Sequence, residues 1–205
     1  MQHHTQGNRL ARGVERFRTG SYRRNRGFFQ DLEYGQKPHT LFLTCSDSRV
    51  DPTLLTDSRP GELFIVRNIA NIVPPYRQTE EYVSTTAAIE YALLSLKVSS
   101  VVICGHSNCG GCAALVGDQA LLDAIPHTRR WLELAREGDF PRPNMRAADV
   151  ERENVARQVK HLLSYPGVSE RLASGDLEIQ GWYYSIAQGF VRRWEEEKGA
   201  FVPLL

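Results

Sequence analysis

Cysteine is scarce in this 205-residue chain and unevenly placed: four residues, at 45, 104, 109 and 112. That is too few, and too bunched, for a disulfide framework of the kind that staples small secreted domains. Long apolar runs are also missing. No stretch approaches the roughly 20 residues needed to cross a bilayer, so no membrane insertion is expected. An excess of one charge is absent too, the formal net charge being +1, and without a basic field no nucleic-acid partner is expected. The N-terminus, Met1-Gln-His-His-Thr-Gln-Gly-Asn-Arg9, lacks the apolar core of a secretory signal, which makes the cytoplasm the default location. No repeat, low-complexity tract or domain linker interrupts the chain.

What is present is an ordinary globular composition, 41% apolar and 24% charged, in a length suited to one α/β domain over residues 1–205. Residues 8–35 are rich in arginine, and Leu10, Val14 and Phe17, then Phe28, Phe29 and Leu32, recur at helical spacing. Two helical pieces broken near Gly20 are expected, forming an arm over residues 1–35 that lays its apolar stripe on a partner subunit. Beyond it come short apolar runs: Thr40–Thr44, Glu62–Arg67 and Val98–Cys104 read as buried strands. Between the last two, Tyr82, Thr86, Ile89, Leu93 and Leu96 mark one face of a helix spanning Thr79–Lys97. Strand, helix, strand implies parallel pairing through a right-handed crossover. Residues 113–135 and 147–164 read as further helices. Leu177–Tyr184 and Phe190–Trp194, joined at Gly189, read as a closing strand pair. The expected fold is a mainly parallel central sheet flanked by helices, with the arm before it and the strand pair after it.

Two runs carry the chemistry: Cys45-Ser-Asp47-Ser-Arg49 and His106-Ser-Asn-Cys109-Gly-Gly111. Cys45 ends the first strand and His106 follows the third, so both runs meet beyond the carboxyl ends of a parallel sheet, where ligands bind. Two thiolates and one imidazole suit Zn²⁺ with one position left open, the arrangement of a catalytic rather than a structural zinc. Asp47 then has two readings. It accepts a hydrogen bond from the attacking hydroxide while Arg49 orients it through a bidentate pair, or it binds zinc itself and shuts the site. Gly105, Gly110 and Gly111 are expected where a Cβ would intrude around the metal. Cys104 lies inside a strand and is expected in the core. The Cys109-x-x-Cys112 spacing formally matches a redox pair, yet a thiolate committed to zinc cannot cycle as a disulfide. His161 is the one other histidine singled out, as a proton shuttle.

The stretch from Gly35 to Gly111, a little over a third of the chain, resembles the β-class carbonic anhydrases, in particular their plant-type branch, also found in bacteria. The matching runs are Gly35-Gln-Lys-Pro, Cys45-Ser-Asp-Ser-Arg-Val50, Gly61-Glu-Leu-Phe-Ile-Val-Arg-Asn68, Ala70-Asn-Ile-Val-Pro-Pro-Tyr76, Ala88-Ile-Glu-Tyr91 and Gly105-His-Ser-Asn-Cys-Gly-Gly111. The resemblance implies one zinc per chain on Cys45, His106 and Cys109, with Asp47 and Arg49 as an orienting dyad. It implies a carbon dioxide pocket of Gln36, Phe64, Ile69 and Tyr91, in which Gln36 and Tyr91 come from the neighbouring subunit of a homodimer or higher even-numbered oligomer. The expected activity is that of a lyase, zinc-dependent reversible hydration of CO₂ to bicarbonate and a proton by hydroxide on the metal. Hydrolysis of CS₂ or COS on the same fold and a catalytically silent zinc scaffold are the alternatives. Some bacterial members resemble one another in a non-catalytic bicarbonate site of tryptophan, arginine and tyrosine. Here Arg67 and Tyr184 match, but Phe42 replaces the tryptophan and lacks its N–H, so an open site with Asp47 paired to Arg49 is expected.

Overall fold

The computed structural model describes residues 3–77 and 83–205. The chain forms two compact units, residues 1–37 and 38–205. In the first, α1 (His3–Phe17) runs into a wider π-type turn (Arg18–Tyr22), and α2 (Arg26–Leu32) follows. The interruption falls at Asn25 rather than near Gly20, which lies within the wide turn and only loosens the coil. Phe29 packs edge-on to Phe17 and beside Tyr22, whereas Leu10 and Val14 stay exposed.

The second unit is the α/β body. Its sheet runs in the order β2-β1-β3-β4-β5-β6, with β1 Thr40–Cys45, β2 Leu63–Asn68, β3 Ser100–His106, β4 Glu178–Ser185, β5 Phe190–Glu195 and β6 Ala200–Pro203. The first four strands are parallel and the last two antiparallel. Thr40–Cys45 is buried throughout, as the near-continuous apolar run of a strand covered on both faces requires. The expected closing pair is therefore more than a hairpin: β4 completes the parallel core against β3, and β5 turns back through Gly189. The short β6, unforeseen, extends that edge.

The helix after β2 appears as α4 (Val83–Glu90) continued by a π-type turn (Tyr91–Ser95). Ile89 and Leu93 of the expected face are buried, and Thr79–Tyr82 lie outside the described residues. The expected helix over 113–135 is broken into α5 (Gly110–Val116), a 3-10 turn, α6 (Pro126–Leu132) and a second 3-10 turn. Gly117 and Pro126 are the residues that punctuate it. Between β1 and β2, an unexpected short helix α3 (Pro52–Thr56) is capped by Asp51, whose carboxylate accepts from the N–H groups of Thr53 and Leu54. α7 (Ala147–Leu162) and α8 (Val168–Ala173) complete the body. No described helix is long and apolar enough to cross a membrane.

Candidate metal centre

The parallel register puts the ends of β1 and β3 side by side, Thr44 opposite Cys104 and Cys45 opposite Asn68 of β2. Cys45 is the last residue of β1. The loop after it is held by Arg67, which donates from Nε to the Cys45 carbonyl (3.1 Å) and from Nη2 to the carbonyls of Asp47 (2.7 Å) and Val50 (2.8 Å). His106 is the last residue of β3. The chain then turns through Asn108, at φ 55°, and delivers Cys109 to the start of α5. That turn is fixed by Ser107, which donates its N–H to the Tyr184 carbonyl (2.9 Å) and accepts at Oγ from the N–H of Ile186 (3.0 Å).

The ligand atoms of Cys45, His106 and Cys109 lie within 4.8 Å of one another, and all three residues are buried. The two sulfurs stand 3.9 Å apart, near the roughly 3.8 Å separation of two thiolates on one tetrahedral zinc. The Ser107 carbonyl, 3.0 Å from His106 Nδ1, can only accept, so Nδ1 carries the proton and Nε2 offers a lone pair. That Nε2 is buried with no hydrogen-bond partner, a costly state that a metal would relieve. The sulfurs tell the same story. Their mutual hydrogen bond, then burial, pushes Cys45 up to about 12. Cys109 is likewise pushed up to about 12, first by Cys112 and also by burial. Two thiolates this close need a cation between them, and the donor set fits zinc.

Asp47 is held off that centre. Arg49 grips both its oxygens, Nε to Oδ1 at 2.9 Å and Nη2 to Oδ2 at 2.7 Å, and the Arg49 N–H adds a bond of 2.9 Å to Oδ1. Arg49 also reaches the Asn108 carbonyl (3.0 Å), linking the two motif loops. Its guanidinium keeps the Asp47 carboxyl far below the usual carboxylate range. Oδ2 nonetheless lies 3.9 Å from His106 Nε2, so the carboxylate borders the ligand cluster. The pairing with Arg49 is the geometry that the first of the two readings of Asp47 requires.

The expected pocket residues divide. Ile69 follows β2 at the metal end, and a Cβ added to Gly111, two residues beyond Cys109, would meet Ile69 Cγ2 at 3.0 Å and Ala70 Cβ at 2.8 Å. Phe64 pairs with Leu41, four ladder positions or roughly 13 Å back from the Cys45–Asn68 pair. Within one chain it stacks on Tyr91, with ring centroids 6.0 Å apart, rather than standing with Ile69. Gln36 belongs to the first unit. A groove of about 880 Å³ that includes Ser107, Arg152, Tyr183 and Arg192 in its lining contains none of the expected site residues.

Other expectations are refined. Cys104 is wholly buried in β3, and burial pushes it up to about 12. Among the expected glycines, Gly110 meets nothing within 4 Å, whereas a Cβ on Gly105 would lie 2.5 Å from Val155 Cγ2. The close approach is thus to α7 and to Ala70, not around the metal. His161 is no free shuttle: Nδ1 donates to the Val73 carbonyl (2.8 Å) and Nε2 lies 3.1 Å from a Glu137 carboxylate oxygen. Phe42 is buried edge-on against Trp182, and Arg67 spends its donors on the Cys45–Val50 backbone. Sequence reasoning missed Glu151. This buried carboxylate accepts from the Cys109 N–H (3.1 Å) and from Tyr183 Oη (2.8 Å), orienting a ligand-bearing residue from a helix distant in sequence.

Three buried soft and nitrogen donors with a tethered carboxylate beside them, at the carboxyl edge of a parallel sheet, are the donor set of a zinc enzyme. Comparison with known proteins narrows the class. The carbonic anhydrase family model matches residues 40–191. A carbonic anhydrase of Helicobacter pylori is 36% identical over 203 residues, covering 94% of this chain and 92% of its own. One from Synechocystis is 38% identical, covering 89% of this chain and 69% of its own. Among solved structures, the β-carbonic anhydrase CcaA superposes with a TM-score of 0.86 at 35% identity, covering 98% of this chain and 93% of its own. A tetrameric β-carbonic anhydrase of Sordaria macrospora gives 0.67 at 30%, covering 98% of each. This chain belongs to the carbonic anhydrase family, in its β class, and is zinc-dependent.

Proposed function

We infer that this carbonic anhydrase hydrates CO₂ reversibly to bicarbonate and a proton at the Cys45–His106–Cys109 centre, with Asp47 and Arg49 as the orienting dyad. When bound, zinc supplies a water acidified towards neutrality, less strongly beside two thiolates than beside neutral ligands. With zinc held by Cys45, His106 and Cys109, Asp47 would accept a hydrogen bond from the nucleophile and so orient it towards carbon. Arg49 keeps the carboxylate ionised and in register, because a planar bidentate pair restricts rotation as well as translation. Ile69 forms an apolar wall that keeps bulk water from an uncharged substrate. A complete pocket then needs Gln36, Phe64 and Tyr91 of the partner subunit. Phe64 joins Tyr91 on this assignment because the two rings stack together away from their own chain's metal end. The unpaired side of β2, an edge strand with Ile65 exposed, and the exposed Tyr91 and Leu94 favour such a dimer. The arm's exposed Leu10 and Val14 give it a stripe to lay on that partner. None of the four cysteines is in a disulfide, which suits a reducing compartment, and we assign the protein to the cytoplasm.

The observation that carries the reading is the tethered carboxylate, with Oδ2 3.9 Å from His106 Nε2, beside a group of three metal-ligating side chains. Asp47→Ala tests it: zinc content stays at one per chain while the CO₂ hydration rate falls about tenfold or more. Loss of zinc together with rate would make Asp47 a structural residue, and unchanged turnover across the pH range would remove it from the mechanism. Sulfide release from CS₂, assayed on the same sample, separates the alternative substrate.

A further inference from the structure

The turn that carries Ile69 is an uphill piece of backbone. Ala70 sits at φ 62°, ψ 26° and Asn71 at φ 48°, the left-handed region that residues with a Cβ seldom visit, here twice in succession. Such geometry persists only where the surroundings over-determine it. Asn68 spans the turn locally, its amide donating to the Ile72 carbonyl (2.8 Å) and accepting from the Ile72 N–H (2.7 Å), and α7 restrains it from outside. Asn154 Nδ2 donates to the Ala70 carbonyl (2.9 Å) and lies 3.7 Å from Cys112 Sγ on α5. Gln158 accepts from the Val73 N–H (2.8 Å) and donates to Asn154 Oδ1 (3.0 Å). His161 takes the Val73 carbonyl and Tyr165, just past the helix, the Pro74 carbonyl (3.0 Å). Asn154, Gln158, His161 and Tyr165 recur at helical spacing, and all four are buried. Burying a row of polar groups is costly unless each is bonded, and this row is spent on the backbone of Ala70, Val73 and Pro74. From the other side, Trp131 Nε1 donates to the Ile69 carbonyl (2.8 Å). The turn so fixed presses Ala70 into the same buried cluster as Cys45 and Cys109 and leaves Ile69 part-exposed above Gly111.

We propose that Asn154 is a positioning residue for the reaction: by fixing the left-handed Ala70 it holds Ile69 as the wall of the CO₂ pocket, without touching metal or substrate. The proposal rests on the reading of Ile69 given above.

The test is Asn154→Leu, which keeps the branched skeleton but removes both the donor to Ala70 and the acceptor for Gln158, made in the zinc-loaded full chain. Zinc content should stay at one per chain, KM for CO₂ should rise about tenfold with kcat within about twofold, and the Ile72 and Val73 amides should exchange about tenfold faster or more, as loss of the buried donor to Ala70 and of the acceptor for Gln158 implies. Adding Ala70→Gly, which accepts φ 62° without strain, should restore KM. A purely structural role would lower the active fraction, and so apparent kcat, leave KM alone and gain nothing from Gly at 70; that result overturns the proposal. Should Asn154→Leu fail to fold, Trp131→Phe removes the other donor from a less buried site and should raise KM about threefold. If it changes neither KM nor exchange, the proposal falls. Ile69→Ala separates the two inferences. If it leaves KM unchanged while Asn154→Leu still loosens the 69–73 amides and Gly at 70 tightens them, the pocket reading fails and the positioning stands.

Discussion

Cys109 and Cys112 lie one helical turn apart, yet their chemistry differs because their neighbours differ. Cys109 Sγ faces Cys45 at 3.9 Å and the bare Nε2 of His106. Cys112 receives instead the Asn154 amide and lies outside the ligand group. Spacing alone offered a redox pair; types and neighbours decide for metal. The expected outcome is asymmetric. Cys109→Ser removes a thiolate from a three-ligand site and should strip zinc on dialysis, whereas Cys112→Ser, whose hydroxyl can still accept from Asn154, should retain it. Atomic absorption on both variants checks this, and full zinc retention in Cys109→Ser would contradict the ligand assignment. The ligands and dyad were legible in the sequence because their type and order are local properties of two loops. Glu151, Tyr183 and the Arg67 clamp were not. Each acts through a contact made by tertiary packing, on a residue whose own neighbours in sequence carry no such signal.

Among the secondary elements, legibility followed burial. β1 and β3 were readable because a strand covered on both faces is a short apolar run with few alternatives; β2 carries an equally compact apolar run although it is only part-buried at the sheet edge. β6 was missed because Ala200–Pro203 is short and half-exposed at a sheet edge. The 113–135 segment kept an apolar rhythm while Gly117 and Pro126 cut it into pieces. Family likeness put Phe64 in the shared pocket without saying which chain supplies it; strand register, which counts residues, sets it at the far end of β2 from its own chain's ligands. Packing of elements also sorts the glycines. Gly111→Ala forces a methyl to 2.8 Å from Ala70 Cβ and 3.2 Å from its backbone nitrogen, contacts the restrained turn cannot easily yield, so it should destabilise by about 1–3 kcal/mol. Gly110→Ala, with nothing within 4 Å and a better helix former in place, should be neutral or stabilising by up to about 1 kcal/mol. Urea denaturation of the two zinc-loaded variants decides it; equal effects would mean the α5–turn approach is looser than drawn.

For the whole molecule, the question is whether one chain makes a whole site. Ile69, Asp47 and the ligands gather at the carboxyl end of the sheet, while Phe64 and Tyr91 stack some way down β2, and the free edge of that strand faces outward. A two-fold axis beside β2 would carry each Phe64–Tyr91 pair to the other chain's metal end, so that every dimer holds two sites, each built from both subunits. Complementation reads this directly. Asp47→Ala and Tyr91→Ala dimers should each be poorly active alone. Unfolded, mixed in equal amounts and refolded with zinc, half the dimers are mixed, and in each of these one site combines an intact Asp47 with the intact Tyr91 of the other subunit. Activity should therefore return to roughly a quarter of wild type, as pairing at random through an isologous interface dictates. If Tyr91 instead serves the metal of its own chain, every site in the mixture carries one of the two lesions. The refolded mixture would then be no more active than the average of its parents, and the shared pocket would have to be abandoned.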